Sequence, residues 1–190
     1  MDLINEYIIE FINNMGMWGP LFCCFLIMIE SMVPILPLFV FITVNFESFG
    51  YFLGFIISYI CAIIGCLISF CFCRYLFKNH FEKKFRKNNT VNKLMTKFDN
   101  IKLRSLTIIV AIPFTPAFLI NIAAGLSKIS FKKYLVSILI GKISLVFFWG
   151  FIGTSLIDSL KNPIKLVYIL LMLLAAYIIS TFISKKFDIN

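Results

Sequence analysis

The sequence predicts an all-α integral membrane protein: an inverted repeat of re-entrant helical hairpin plus transmembrane helix, then a final transmembrane helix, with amphipathic interfacial helices. Three observations predict it. Of 190 residues, 61% are hydrophobic and only 14% charged, against roughly 45–50% and ~25% in soluble domains. Five apolar runs approach the ~20 residues that cross a ~30 Å hydrocarbon core, and no separate soluble domain fits in what remains. Two of these runs carry the same P-x-x-P interruption, and an uninterrupted apolar run follows each.

Residues 1–15 read as an amphipathic N-terminal helix. Leu3, Ile4, Tyr7, Ile8, Phe11 and Ile12 recur at i, i+3/i+4 spacing while Asp2, Asn5, Glu6, Glu10 and Asn13 take the other face, the pattern of a helix lying on a membrane surface. The segment is acidic and lacks a basic n-region, so it is not a secretory signal.

The run over 17–46 contains Val33-Pro34-Ile35-Leu36-Pro37. Proline at mid-membrane removes a backbone hydrogen bond and breaks the helix, so this run is read as a re-entrant hairpin. Residues 50–73, free of proline, follow as a transmembrane helix.

From Met1 to Phe72 there is no Lys or Arg, whereas Arg74 to Arg104 holds ten basic residues against Glu82 and Asp99, contributing +8 of the net +9. By the positive-inside rule this loop is cytoplasmic. Within 78–104, Phe81, Phe85, Val91, Leu94, Met95, Phe98 and Ile101 are phased like one helix face amid lysines. Such a basic amphipathic stretch suits an anionic cytoplasmic leaflet better than nucleic acid.

The run over 105–126 contains Ile112-Pro113-Phe114-Thr115-Pro116. If it crosses the bilayer, twelve basic residues lie inside and five outside; if it dips in and returns, fifteen lie inside and only Lys161 and Lys165 outside. The rule favours a second hairpin. Residues 134–157 and 166–184 then cross as plain helices, placing the C-terminus in the cytoplasm. The first hairpin opens outward and the second inward, which makes the two halves inverted repeats.

Glu30 ends an apolar stretch of about eleven residues, half the hydrocarbon thickness, four positions before Pro34. An intramembrane carboxylate is costly and marks a proton or cation relay; a cap for backbone groups freed by Pro34 and Pro37 is the equal alternative. The paired breaks Pro34/Pro37 and Pro113/Pro116 expose backbone groups that line mid-membrane sites in transporters. Asn121, just past the second break, reads as a hairpin-stabilising residue ahead of a ligand contact, and Gly125 within Ala123-Ala124-Gly125 permits close helix approach. For Lys142 the favoured reading is snorkelling to the cytoplasmic face, with pairing to Glu30 or a lipid phosphate as the sharper one.

All six cysteines fall in or at the end of apolar runs without metal-ligand spacing, and His80 is the lone histidine, so neither a disulfide framework nor a metal or other cofactor is expected. Gly141-Lys142-Ile143-Ser144 is no P-loop, and no H-E-x-x-H or G-x-S-x-G pattern occurs, so an enzyme is not expected.

The block Ile112-Pro113-Phe114-Thr115-Pro116 through Asn121-Ile122-Ala123-Ala124-Gly125-Leu126-Ser127, then Ile129-Ser130-Phe131 with Tyr134 and Gly141, resembles the signature of the DedA/VTT-domain membrane proteins, in their Tvp/Tmem branch. Glu30 with Pro34 and Pro37 is similar to that family's first hairpin and its acidic position. The resemblance implies two facing re-entrant hairpins and movement of lipids between leaflets, with phospholipids or polyprenyl-phosphate carriers as substrates and protons as a coupling ion. Leu38 and Phe39 stand where a second acidic residue is expected, and Val110 and Pro116 where arginines are expected.

Together these readings predict a multi-pass cell-membrane protein of the lipid flippase or scramblase type. The alternatives are a proton- or cation-coupled carrier of a small solute and a membrane-organising protein that transports nothing. Membrane lipids, anionic or polyprenyl-phosphate lipids among them, are the expected partners. A homo-oligomer is compatible with the sequence, and nucleic acid is not a partner.

Overall fold

The computed structural model describes residues 18–33, 38–85, 95–159 and 163–186. The predicted N-terminal helix, Pro34, Pro37 and Asn88-Asn89-Thr90 lie outside the described residues.

The described chain is helical in order: α1 (Trp18–Glu30), α2 (Leu38–Phe72), a π-helical turn (Cys73–Phe77), α3 (Lys78–Phe85), α4 (Leu103–Ala111), α5 (Ala117–Leu126), α6 (Phe131–Ser159) and α7 (Pro163–Lys186). Among the described residues, two stretches are long and apolar enough to cross a membrane, Leu38–Phe77 and Phe131–Leu156.

The first of these is not one straight rod. Gly50 has φ 77° and ψ 168°, a region open to glycine and strained for any side chain. The Asn45 side chain reaches Ser58 Oγ at 3.0 Å, although thirteen residues of straight helix would separate them by about 20 Å. The chain therefore folds back at Gly50, and residues 51–77 form the long spanning-length limb.

That limb buries Gly54, Ser58, Ala62, Gly65, Cys66 and Ser69, small residues spaced three or four apart that let other helices approach its backbone. At Gly65 an added Cβ would stand 2.6 Å from the Met28 carbonyl oxygen, so α1 lies against this stripe.

α4 and α5, at nine and ten residues, are each about 14–15 Å long, half of a membrane's apolar thickness. Ile112, forced out of helical geometry by the following proline, is extended (φ −75°, ψ 123°) and ends α4; Pro116 precedes α5. Their far ends lie together, because the Lys128 amide donates to Asp99 Oδ1 at 2.6 Å and Ile129 shares a buried cluster with Leu106, Phe70 and Tyr134. The chain thus returns after its break to the end from which it came. α4 rests on α6, while α5 rests on α2 and the π-helical turn.

Two apolar clusters form the core. One joins Cys66, Phe70, Leu106, Ile109, Val110, Ile120, Ala124, Ile129, Tyr134 and Ile138; the other joins Ile27, Ile42, Phe46, Ala62 and Val146. Phe98 and Ile101 pack against the first cluster, and Phe81 lines an apolar groove with Met32 and Phe77. These apolar side chains of the basic stretch thus rest partly on the protein core.

Candidate functional site

The two breaks meet. Glu30 at the end of α1, Leu38 and Phe39 at the start of α2, the segment Pro113 to Ala117, and Leu145 and Trp149 of α6 enclose a cavity of about 320 Å³. Trp149 bridges its halves, its ring 5.9 Å from Phe39 and 5.8 Å from Phe114. Phe114 also meets Tyr177 of α7 edge-on at 6.0 Å, so the last helix closes onto the second break.

Glu30 supplies the carboxylate of the cavity wall. Lys142, one turn before Leu145 and on the same face of α6, is 1% exposed and within electrostatic reach of Glu30. Glu30 Oε2 and Lys142 Nζ are both buried and make no hydrogen bond among the described residues. The snorkelling expectation for Lys142 is therefore corrected: the side chain stays inside, with its Nζ buried.

A polar network locks the breaks together next to this pair. Asn121 Nδ2 donates to the Ser31 carbonyl at 2.9 Å. The Tyr134 hydroxyl donates to Asn121 Oδ1 at 2.7 Å, with the Cys66 carbonyl 3.2 Å away. Asn121 is 2% exposed and Tyr134 fully buried, so each bond replaces water that neither group can reach. Asn121 thus ties the turn after α1 to Tyr134 of α6.

Gly125 lies where α5 crosses the long limb of α2; an added Cβ there would stand 2.7 Å from Cys73 Cβ and 2.8 Å from the Phe70 carbonyl oxygen. Beside it Arg74, counted in the sequence only as one more basic loop residue, donates to the carbonyls of Ala124, Gly125, Ser127 and Ile129 at 2.7–3.2 Å. Its guanidinium lies 4.4 Å from the Phe70 ring centre, and Lys78 Nζ adds a bond to the Ser127 carbonyl. A helix end leaves its last carbonyls unpaired and partly negative, and these two cations cap α5. The signal in the sequence was Arg74's place directly after an uncharged apolar run, at the depth where a cation needs carbonyls.

A comparison with known families matches the VTT domain over residues 33–155. The chain belongs to the VTT-domain family. It is 29% identical to the Bacillus subtilis membrane protein YhjE over 186 residues, 98% of this chain and 88% of that protein. It is 25% identical to the Bacillus subtilis protein YqeD over 164 residues, 85% of this chain and 79% of that one. No solved structure matches it. The VTT domain match spans both breaks, Asn121 and Tyr134, the Arg74 cap and Lys142, but not Ser31. It starts after Glu30, so the carboxylate of the cavity is contributed from just ahead of the matched segment.

Proposed function

We propose that this membrane protein moves lipids between leaflets, as a flippase or scramblase serving membrane lipid homeostasis in the cell membrane. The observation that carries the reading is a cavity where the two broken segments come together, with the Glu30 carboxyl in its wall and the buried Lys142 one turn from its lining residue Leu145. A lipid headgroup must cross a medium in which an unpaired polar group costs several kcal/mol. Broken helices and buried charges offer it a polar step half-way, and the aromatic walls accept the chains beside it.

In this reading both broken segments are re-entrant hairpins dipping from opposite faces, with the basic central loop and the C-terminus cytoplasmic. The protein acts by positioning alone, with no covalent step and no cofactor.

The test is reconstitution into liposomes containing phospholipids labelled on an acyl chain with a fluorophore that a membrane-impermeant reductant bleaches. Protein-containing vesicles should lose the label of both leaflets and empty vesicles that of the outer leaflet only. Equal bleaching with folded protein across varied lipids would sink the proposal. The buried carboxylate also suits a proton- or cation-coupled solute carrier. That reading gains if Glu30→Gln abolishes solute uptake and leaves lipid exchange intact; the lipid reading gains if exchange falls.

A further inference from the structure

The six cysteines carry no framework spacing in sequence, yet packing brings two of them face to face. α1 runs along the long limb of α2, and their backbones touch at Gly65, where an added Cβ would stand 2.6 Å from the Met28 carbonyl oxygen and 2.7 Å from Met28 Cα. One helical turn earlier on both helices, at the same 37-position offset as Met28 and Gly65, stand Cys24 and Cys61. Asn45 fixes the register on the other side, its Nδ2 lying 3.0 Å from Ser58 Oγ and 3.8 Å from Cys24 Sγ. Cys61 falls between Ser58 and Gly65, three and four residues away from them on the side that meets α1. The Cys24 and Cys61 thiols accordingly interact directly. Helices whose backbones touch one turn away are close enough for the Cα separation of about 4.4–6.8 Å that a disulfide needs.

The other cysteines have no such arrangement. Cys66 is buried, its Sγ 3.7 Å from Ser31 Oγ and 3.6 Å from Asn121 Nδ2. Cys23 and Cys24, adjacent on α1, do not face each other, nor do Cys71 and Cys73, two positions apart on one helical segment. Cys24 and Cys61 are only half-buried, so a small oxidant that enters the bilayer reaches them. In the topology proposed above α1 enters from the outer face, away from the thiol-reducing cytoplasm.

We propose that Cys24 and Cys61 are an oxidisable pair, closed to a disulfide by a membrane-permeant peroxide, and that the bond staples α1 to the long limb of α2. One thiol attacks a peroxide oxygen, which breaks the O–O bond, releases water and leaves a sulfenic acid; the other thiol then displaces the sulfenic hydroxyl as water and forms the S–S bond. Two thiols and one hydrogen peroxide thus give one disulfide and two waters, the sulfurs oxidised and the peroxide oxygens reduced. α1 ends at Glu30, less than two turns beyond Cys24, so the staple fixes the cavity wall and the Ser31 carbonyl that anchors Asn121. Held in this way, α1 cannot slide over the small residues of α2, and lipid exchange falls. The loss of exchange rests on the translocation reading, whereas the bond does not.

The full-length protein in liposomes is treated with hydrogen peroxide, its remaining thiols are blocked with N-ethylmaleimide, and it is digested without reductant and mapped by mass spectrometry. A Cys24–Cys61 linked peptide should be the main cross-link. It should survive in Cys23→Ala and be lost in Cys24→Ala and Cys61→Ala. Exchange by the native protein should fall on oxidation and return on reduction, while Cys61→Ala should exchange equally before and after peroxide. The native protein, oxidised and then reduced, carries the comparison even where a variant does not fold. Oxidation of methionines or other cysteines without a Cys24–Cys61 bond overturns the pair, and equal exchange by the reduced and the stapled protein overturns the lock. A bond that forms in a protein with no exchange in either state would instead remove the translocation reading and leave the pair standing.

Discussion

Replacing Arg74 by methionine tests whether the α5 cap holds the second break in place. The substitution keeps the length and apolar stem of the side chain and deletes the guanidinium, and with it four hydrogen bonds to the carbonyls of Ala124, Gly125, Ser127 and Ile129. A bond from a charged donor contributes about 1.5–3 kcal/mol, but four from one side chain share a single desolvation cost and the freed carbonyls regain some water, so the loss is about 3 kcal/mol. For a chain of this size about 2–4 °C of unfolding midpoint corresponds to each kcal/mol, which sets the expected drop at about 6–12 °C.

Arg74→Lys keeps a cation at the negative end of α5, but a three-donor ammonium cannot span four carbonyls, so its drop should be about half as large. A thiol-reactive dye suits the measurement, since Cys73 is buried against Gly125 and becomes reactive when α5 leaves. A midpoint for Arg74→Met within about 2 °C of the native protein, less than one kcal/mol, would refute the capping argument. So would equal drops for the two variants.

Asn121→Leu strands the Ser31 carbonyl and leaves the Tyr134 hydroxyl only the longer bond to the Cys66 carbonyl and should cost about 2 kcal/mol; in a cycle with Tyr134→Phe the two effects should fail to add by about 1 kcal/mol, and strict additivity would deny the bond. Gly125→Ala drives a methyl into Cys73 and the Phe70 carbonyl and should cost about 1–3 kcal/mol as overpacking, read from the same melting curve; an unchanged midpoint would mean the helices part freely. In a background without native cysteines, a membrane-impermeant maleimide applied to intact cells should label Glu47→Cys and spare Lys128→Cys, and outside labelling of Lys128→Cys would overturn the fold-back at Pro113 to Pro116.

Much of the backbone plan was legible because it is written in local signals. Proline at 113 and 116 breaks a helix wherever it stands, and the absence of charge before Arg74 marks an apolar run by inspection. The turn at Gly50 coincides with the start read for the second helix, since glycine there follows directly after Glu47-Ser48-Phe49.

What was not legible depends on partners distant in sequence. Lys142 looks like a snorkelling lysine until the helices packed around α6 bury it. Arg74 looks like one of ten loop cations until the end of α5 arrives some fifty residues later with bare carbonyls. Phe98 and Ile101 carry a helix-face pattern in sequence, and only packing shows that they rest partly against the cluster around Phe70 and Tyr134. Periodicity gives the face but not its partner.

The Asn121 network bears on how the chain is assembled as it is made. Synthesis proceeds from the N-terminus and elements settle as they emerge, so α1 and the long limb of α2 are complete well before residue 121 exists. Until then the Ser31 carbonyl has no Asn121 amide to accept from, and Arg74 has no α5 to cap. The first half is thus left waiting for the second, and a chain cut after residue 104 should persist as a substrate for membrane quality control rather than as half of a working protein.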